Sequence, residues 1–240
     1  MQTIAILSTK KDPLLGHLIK KIYKIKNLNF IIIFAKISLQ NSNKNQKIFK
    51  DRTGDYFKTK KEISAIDIKK FNFKSHNSVR FKKFILKNKI KYLFNSSTPG
   101  KIEKKILEAV KGVINIHPGI LPKYRGCTNV EWALNNEDPI GITAHLMNEK
   151  YDSGPIIKRK IIKFKKKNIN EYKDIRILTY LEQIELAKSI FKLIVKNNIK
   201  LKKHKVKKNS FYPIIPNKIL INVKKNIKNK SLIFNRKNLL

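Results

Sequence analysis

The sequence predicts an α/β protein built on a mostly parallel sheet, and three observations predict it. Short, uninterrupted apolar runs of strand length alternate with segments of helical periodicity, the pattern of βαβ units. The 240 residues are 41% hydrophobic, enough to bury a sizeable core. No apolar run reaches the ~18 residues of a membrane-span candidate, and the longest, Phe30 to Ala35, is strand-length.

Thr3 to Ser8 reads as a buried strand, followed by a loop over Lys10 to Pro13 and a helix from Leu14 to Lys24. Phe30 to Ala35 is the second strand, and Asn41 to Lys61 is polar and poor in pattern, a loop or an exposed helix. Val79 to Lys87 is helical in pattern, Ile90 to Phe94 is the next strand, and Pro99-Gly100 marks a turn. Ile102, Ile106, Leu107 and Val110 share one helical face. Val113 to Ile116 is a further strand. Thr128 followed by Glu131 fits a capping box that opens a short helix through Trp132 and Leu134. Gly141 to Met147 and Ile156 to Phe164 are two more strands. A long apolar stripe from Ile175 through Ile184 and Phe191 to Val195 predicts a long helix. Composition shifts near Asn197, so residues 1–196 are read as the main domain and 197–240 as a short basic C-terminal extension.

The start of the chain has neither a basic segment nor a small-residue cleavage site, so no signal peptide is expected. A lone cysteine, Cys127, allows neither an intrachain disulfide nor a Cys-based zinc site, and a reducing, cytoplasmic setting is expected. The formal charge of +39 invites a nucleic-acid reading, but only 6 of the 55 basic residues are arginine. Arginine is the preferred residue for bidentate phosphate and guanine contacts, so the lysine excess reads as a compositional bias. Its distribution agrees: residues 103–152 carry seven acids against six bases, whereas 186–240 carry sixteen bases and no acid.

The chemistry concentrates in Gly-Val-Ile-Asn-Ile-His-Pro-Gly-Ile-Leu-Pro-Lys-Tyr-Arg-Gly at 112–126. Asn115 and His117 lie two apart at a strand end, so their side chains share a face. Pro118 stops the strand immediately after them. Ligands of open α/β sheets bind beyond the carboxyl ends of the strands. An amide donor and a protonated imidazole placed there suit acyl-type transfer, because both can donate to the oxygen that becomes negative when an amine attacks a carbonyl. Asp152, 37 positions on, is the candidate for the proton the amine loses, and beside His117 it would favour the charged imidazole.

Asn-x-His-Pro-x-x-Leu-Pro-x-Tyr-Arg-Gly at 115–126, Gly-Ile-Thr-Ala-His at 141–145 and Asp-Ser-Gly-Pro-Ile at 152–156 resemble the formyltransferases that use 10-formyltetrahydrofolate. That superfamily includes glycinamide ribonucleotide transformylase, methionyl-tRNA formyltransferase and the sugar N-formyltransferases. The resemblance implies a Rossmann-like formyltransferase domain, a catalytic set of Asn115, His117 and Asp152, and 10-formyltetrahydrofolate as formyl donor. It also implies a folate pocket walled by Leu93, Phe94, Asn95 and Ser96 and by the loop Asn148, Glu149, Lys150 and Tyr151. Arg125 and Tyr124, beside Gly126, are candidates for substrate binding.

The loop after the first strand, Ser8 to Gly16, lacks the glycine-rich phosphate pattern of the purine enzymes. The tail is too short for the C-terminal domain of methionyl-tRNA formyltransferases, and Ser210 to Pro216 resembles the tail of the sugar enzymes. By elimination the expected acceptor is a small-molecule amine on a nucleotide-linked amino sugar. A methionyl-tRNA or glycinamide ribonucleotide acceptor, RNA binding by the tail, and a homodimer stay open. His145 reads as a core histidine or as support for the catalytic set, Trp132 as core and Cys127 as inert. His17, His76 and His204 lack partners at ligand spacing, so no metal site is expected.

Overall fold

The computed structural model describes residues 3–57, 67–98, 100–165 and 169–229. Pro99 of the expected turn, residues 58–61 of the polar stretch and residues 230–240 of the tail lie outside these. The elements are β1 (Thr3–Ser8), α1 (Leu15–Ile22), β2 (Asn29–Ala35), α2 (Leu39–Thr53), β3 (Lys70–Phe73), α3 (Val79–Lys87) and β4 (Tyr92–Asn95). They continue with α4 (Lys104–Leu107), β5 (Gly112–His117), β6 (Arg125–Gly126), α5 (Asn129–Asn135), β7 (Gly141–Leu146) and β8 (Ile156–Ile161). The 24-residue α6 (Tyr172–Val195), β9 (Phe211–Tyr212) and α7 (Asn217–Lys228) complete the described chain.

Seven strands form one sheet in the order β3-β2-β1-β4-β5-β7-β8. The first five are parallel, while β7 runs antiparallel to β5 and β8 antiparallel to β7. This is the expected mostly parallel α/β sheet with its helices on both faces. The period-2 geometry of a strand divides each apolar run between two cores. Ile4 and Ile6 face Leu18, Ile19 and Ile22 of α1 and Ile190 and Ile194 of α6. Ala5 and Leu7 face the other way, toward Phe81 and Ile85 of α3 and Ile106 of α4. Both faces of β1 are therefore dry, which is why its sequence shows no polar alternation.

Several local expectations change. The helix expected around Ile102 to Val110 is only the single turn of α4, although Ile102 and Ile106 are core residues as its face predicted. The polar stretch after β2 is the exposed helix α2, capped by the Ser38 hydroxyl accepting from the Asn41 amide. Phe94 and Leu93, expected in the folate pocket wall, are buried on opposite faces of the sheet, and Phe94 packs against Phe191. The tail returns to the body: Lys202 bridges Ile156, β9 pairs with β6, and α7 buries Val223 and Ile227 in the main core.

The capping box at Thr128 and Glu131 does not form. Thr128 adopts left-handed φ 47°, and its hydroxyl donates to the Pro213 carbonyl and accepts from the Ile215 amide instead. Glu131 turns inward and is 1% exposed. It accepts a short hydrogen bond from the Tyr172 hydroxyl and lies 3.8 Å from Arg176 and 3.7 Å from Arg52. Burial opposes its ionisation, but the two guanidiniums and Tyr172 hold its carboxyl below the usual range. The box that does form is Glu171 with Asp174 at the start of α6.

Removing one partner of a buried ion pair leaves the other charge uncompensated, at about 3–5 kcal/mol. Glu131→Gln is therefore expected to destabilise the protein by about that amount in urea unfolding at pH 7. Because the folded pKa is depressed, this contribution is present above the unfolded value of about 4.3 and is lost as pH falls through the folded value. Wild type and variant should converge in stability at acid pH, and an equal gap at pH 3 and pH 7 would contradict the assignment.

Candidate active site at the carboxyl end of the central strands

Strand β5 ends at His117, and its parallel neighbour β4 ends at Asn95, directly opposite Asn115. On its other side, β5 pairs with β7 so that Asn115 faces His145. A register shift between Ala144 and His145 where β7 meets β8 bends the strand at that point. Three polar side chains thus meet where three strands end.

Backbone carbonyls set the polarity of this group. The Leu146 carbonyl can only accept, so the proton of neutral His145 sits on Nδ1, 3.0 Å away. His145 Nε2 then accepts from Asn115 Nδ2 at 3.3 Å, and Asn115 Oδ1 accepts from Asn95 Nδ2 at 3.2 Å. The Asn115 amide is held in one orientation, with its second N–H left to donate to a ligand. Burial, then the neighbouring His117, pushes the His145 pKa down to about 4.

Asp152 completes the cluster. Its Oδ1 lies 3.3 Å from His117 Nδ1 and 3.6 Å from His145 Nε2, and its Oδ2 accepts from the Gly126 amide at 2.9 Å. The residue sits at φ 49° in a turn. Two residues on, a Cβ on Gly154 would lie 1.8 Å from the Leu146 carbonyl oxygen, so only glycine lets the turn lie this close to β7. Arg125 adds a second tie, donating from Nε at 3.2 Å and Nη2 at 2.7 Å to the Tyr151 carbonyl.

The other edge of His117 is enclosed as well. Its Nε2 lies 2.8 Å from the Tyr124 carbonyl and 3.0 Å from Asn129 Nδ2, which also donates to the Gly126 carbonyl. His117 is 3% exposed. Burial is the largest influence on its pKa and lowers it, and the opposing pull of Asp152 and the Tyr124 carbonyl does not reverse this. The expectation that a nearby carboxylate would leave His117 charged is therefore corrected, because desolvation wins.

The remaining expected site residues divide. Asn95 and Ser96 reach the site, Asn95 through Asn115 and Ser96 through a 2.6 Å bond to Asp12. Asn148 organises its own loop, accepting from the Lys150 amide at 3.2 Å and the Ser153 hydroxyl at 2.8 Å. Glu149, Lys150 and Tyr151 are exposed beside Asp152. Tyr124 is not available to a substrate: it is 1% exposed, stacks on Tyr212, and its hydroxyl donates to Asp138. Burial and that carboxylate raise its pKa. Trp132 leans on Tyr212 and donates to the Pro213 carbonyl. Cys127 is exposed. His76 is buried, 3.1 Å from the Lys101 carbonyl, and His17 packs edge-on to Phe57. Among the described residues no three His, Cys, Asp or Glu side chains gather as a metal site, and no helix is long and apolar enough to cross a membrane.

Sequence reasoning missed Asn129, the Gly126 amide and Asp12. Asn129 follows Thr128, and the capping reading of that pair drew attention to the helix start and away from the side chain that meets His117. Gly126, with φ 88° and Tyr212 packed against it, was the available signal for a backbone donor turned toward the site.

Residues 101–178 match the family model described as "Formyl transferase". Over 171 residues the chain is 30% identical to the bifunctional polymyxin resistance protein ArnA of Wigglesworthia glossinidia brevipalpis, covering 70% of this chain and 25% of that protein. Over 66 residues it is 48% identical to the methionyl-tRNA formyltransferase of Thermodesulfovibrio yellowstonii, covering 26% and 21% of the two chains. The chain thus matches about a quarter or less of the length of these relatives. The fold is similar to that of a sugar N-formyltransferase from a Shewanella species, with TM-score 0.61 and 19% identity over 89% of this chain and 77% of that one.

These matches support the formyltransferase superfamily, through residues 101–178. The matched segment holds Asn115, His117, His145 and Asp152 together, along with the loops that position them.

Both histidines have folded pKa values below their unfolded value of about 6.5, so acid favours the unfolded chain. Their contribution is complete above that value and is lost as pH falls toward the folded values, at about 1.4 kcal/mol for every tenfold difference in proton affinity between the two states. Chemical denaturation should show stability falling from pH 6.5 to 4.5, and His145→Gln should flatten part of that slope. An unchanged slope in the variant would remove His145 as a source.

Proposed function

We propose that the protein transfers a formyl group from 10-formyltetrahydrofolate to a primary amine carried by a nucleotide-linked amino sugar. The observation that carries this reading is the meeting of Asn115, His117 and Asp152 at the carboxyl end of β5, within the segment matched to the formyl transferase family. The C-terminal segment 197–240 is read as an extension of the catalytic domain 1–196, and its β9 pairs with β6 beside the site.

In this reading the folate lies between the Asn148–Tyr151 loop and Asn95–Ser96, with its formyl oxygen toward the free N–H of Asn115. The amine attacks the formyl carbon, and the new C–N bond forms as charge moves onto that oxygen, where the Asn115 amide donates to it. Asp152 accepts the proton the amine gives up. Neutral His117 donates from Nε2 to the Tyr124 carbonyl, so its Nδ1 faces Asp152 as an acceptor and shares the proton once the carboxylate has taken it. The intermediate collapses when the bond from the formyl carbon to folate N10 breaks, and N10 takes the proton back. Holding amine and formyl carbon together supplies much of the acceleration.

A positioned acid–base group contributes about 10²–10⁴-fold. Asp152→Asn keeps the shape and the acceptor for the Gly126 amide, so it should fold as wild type and lose turnover by about that factor. Near-wild-type formyl transfer by the folded variant would remove Asp152 from the reaction.

The methionyl-tRNA reading is favoured by one observation, the 48% identity over 66 residues to a protein of that name. The two readings part in a parallel assay of a dTDP- or UDP-linked amino sugar, methionyl-tRNA and glycinamide ribonucleotide, with one folate donor and product mass as readout. The amino sugar is expected to gain one formyl group with the highest kcat/KM. Comparable efficiency on methionyl-tRNA would overturn the choice of acceptor and leave the catalytic reading intact.

A further inference from the structure

Two cavities open along the same carboxyl edge of the sheet, beside the Asn115–His117–Asp152 cluster. One, of about 740 Å³, lies over the ends of β2 and β3. The other, of about 460 Å³, lies over the ends of β1 and β4 and reaches Ser96, Cys127 and Thr128. Lys11, Ile37 and Ser42 line both, so they form one trough that reaches Ser96, the residue after Asn95. Each lies within the range of small-ligand sites, about 300–1,000 Å³.

The lining changes along the trough. At its far end half-buried Phe34 supplies an aromatic surface, while Phe73 lies on the other face of the sheet against Phe81 and Phe84; Lys10, Lys36, Lys74 and Arg80 stand around, with no acid among the described lining residues. Helices α2 and α3 begin at this rim without an acid in their first turns, which adds to the positive field. Near the catalytic end the one carboxylate among the described lining residues is Asp12. Its Oδ2 accepts from Ser8 at 2.7 Å and Ser96 at 2.6 Å, and its Oδ1 accepts from the Leu14 amide at 2.9 Å. Arg52, anchored behind by Glu131, lines the middle.

Arginine is the informative residue in a chain with 49 lysines and 6 arginines. A lysine on this surface follows the composition; an arginine departs from it. Two of the six, Arg52 and Arg80, line this trough. A planar guanidinium matches a phosphate bidentately, which lysine cannot do.

We propose that this trough seats a nucleoside diphosphate, with the base on Phe34 and the diphosphate among Lys11, Lys36, Lys74 and Arg80. The attached amino sugar then extends past Arg52 and Asp12 toward Asn115. The assignment rests on the formyl-transfer reading for what lies at the sugar end, while the nucleotide seat stands on the cavity itself. Asp12 is a positioning residue for the amine, a fixed negative charge at the end where a cationic group would enter.

The test is calorimetric titration of the full chain with UDP, dTDP, GDP and inorganic pyrophosphate at 150 mM salt, with a stable formyl-folate titrated in parallel. At least one nucleoside diphosphate is expected to bind tenfold or more tightly than pyrophosphate. The exposed double variant Lys74→Gln/Arg80→Gln, folded by its melting curve, should weaken that nucleotide tenfold or more with folate affinity unchanged. Phe34→Ala should erase most of the preference over pyrophosphate. Pyrophosphate binding as well as the nucleotides would overturn the proposal, as would unchanged nucleotide affinity in the double variant or no nucleotide binding at all. Folate binding in those cases leaves the formyl-transfer reading standing. Nucleotide binding that follows the variants, with neither folate binding nor transfer, supports the seat and overturns the reading of the catalytic end.

Discussion

The carboxylate of Asp152 is the point on which the site depends. Its surroundings come from different parts of the chain: the Gly126 amide donates to one oxygen, and the rings of His117 and His145 flank the other. None of these is near it in sequence. The contact exists only because β7 pairs antiparallel to β5 in a register that sets His145 against Asn115, and because the turn after β7 folds back onto the Leu146 carbonyl. A carboxylate so placed is both close to an imidazole and open enough, at 13% side-chain exposure, to meet a ligand.

The neighbouring polar groups follow from the same constraint. A half-buried amide such as Asn115 can present either end to a ligand. Its direction is decided by a chain of bonds that ends on a backbone carbonyl, from Leu146 through His145 to Asn115 and back to Asn95. Burial keeps His145 neutral, and only a neutral ring can accept from Asn115. The low pKa of that histidine is therefore part of how the site is oriented. A charged His145 would donate at both nitrogens and turn the Asn115 amide around, presenting its oxygen where its second N–H otherwise points.

Much of this was legible in the sequence, and the parts that were not have physical reasons. Strands buried on both faces, such as Thr3 to Ser8 and Phe30 to Ala35, announce themselves as unbroken apolar runs, and β1 and β2 lie within a residue of those limits. Edge strand β3, Lys-Phe-Asn-Phe, buries only Phe73 and carries no such signal. The Asn115–His117 spacing announced a shared face because period-2 geometry is local. Which partners meet there is not local: Thr128 and Glu131 fit a capping box by spacing, yet tertiary partners claim both side chains. Leu93, Phe94 and Tyr124 sit beside the site in sequence, but strand alternation and the packing of β9 turn them into the core. Charge was the hardest to read, since burial reversed the effect expected of Asp152 on His117.

The basic excess takes a different meaning once it is placed on the fold. Dispersed surface lysines mainly raise the general potential, which salt screens within about 8–10 Å. Cations around a concave wall of low polarity act together, because the wall restricts the screening solvent and focuses the field. The trough along the carboxyl edge is such a wall, and the catalytic end beside it differs in kind. There Asp152 stands beside a buried, neutral imidazole pair and Asp12 lines the adjoining cavity, so carboxylates enter toward β5 on an edge whose β3 end shows cations and no acid among its described lining residues. A ligand that is anionic at one end and cationic at the other would be oriented by that gradient before any specific contact formed. Composition supplied the lysines everywhere; the sheet order, by placing β3 and β5 at opposite ends of one edge, converts part of that bias into direction.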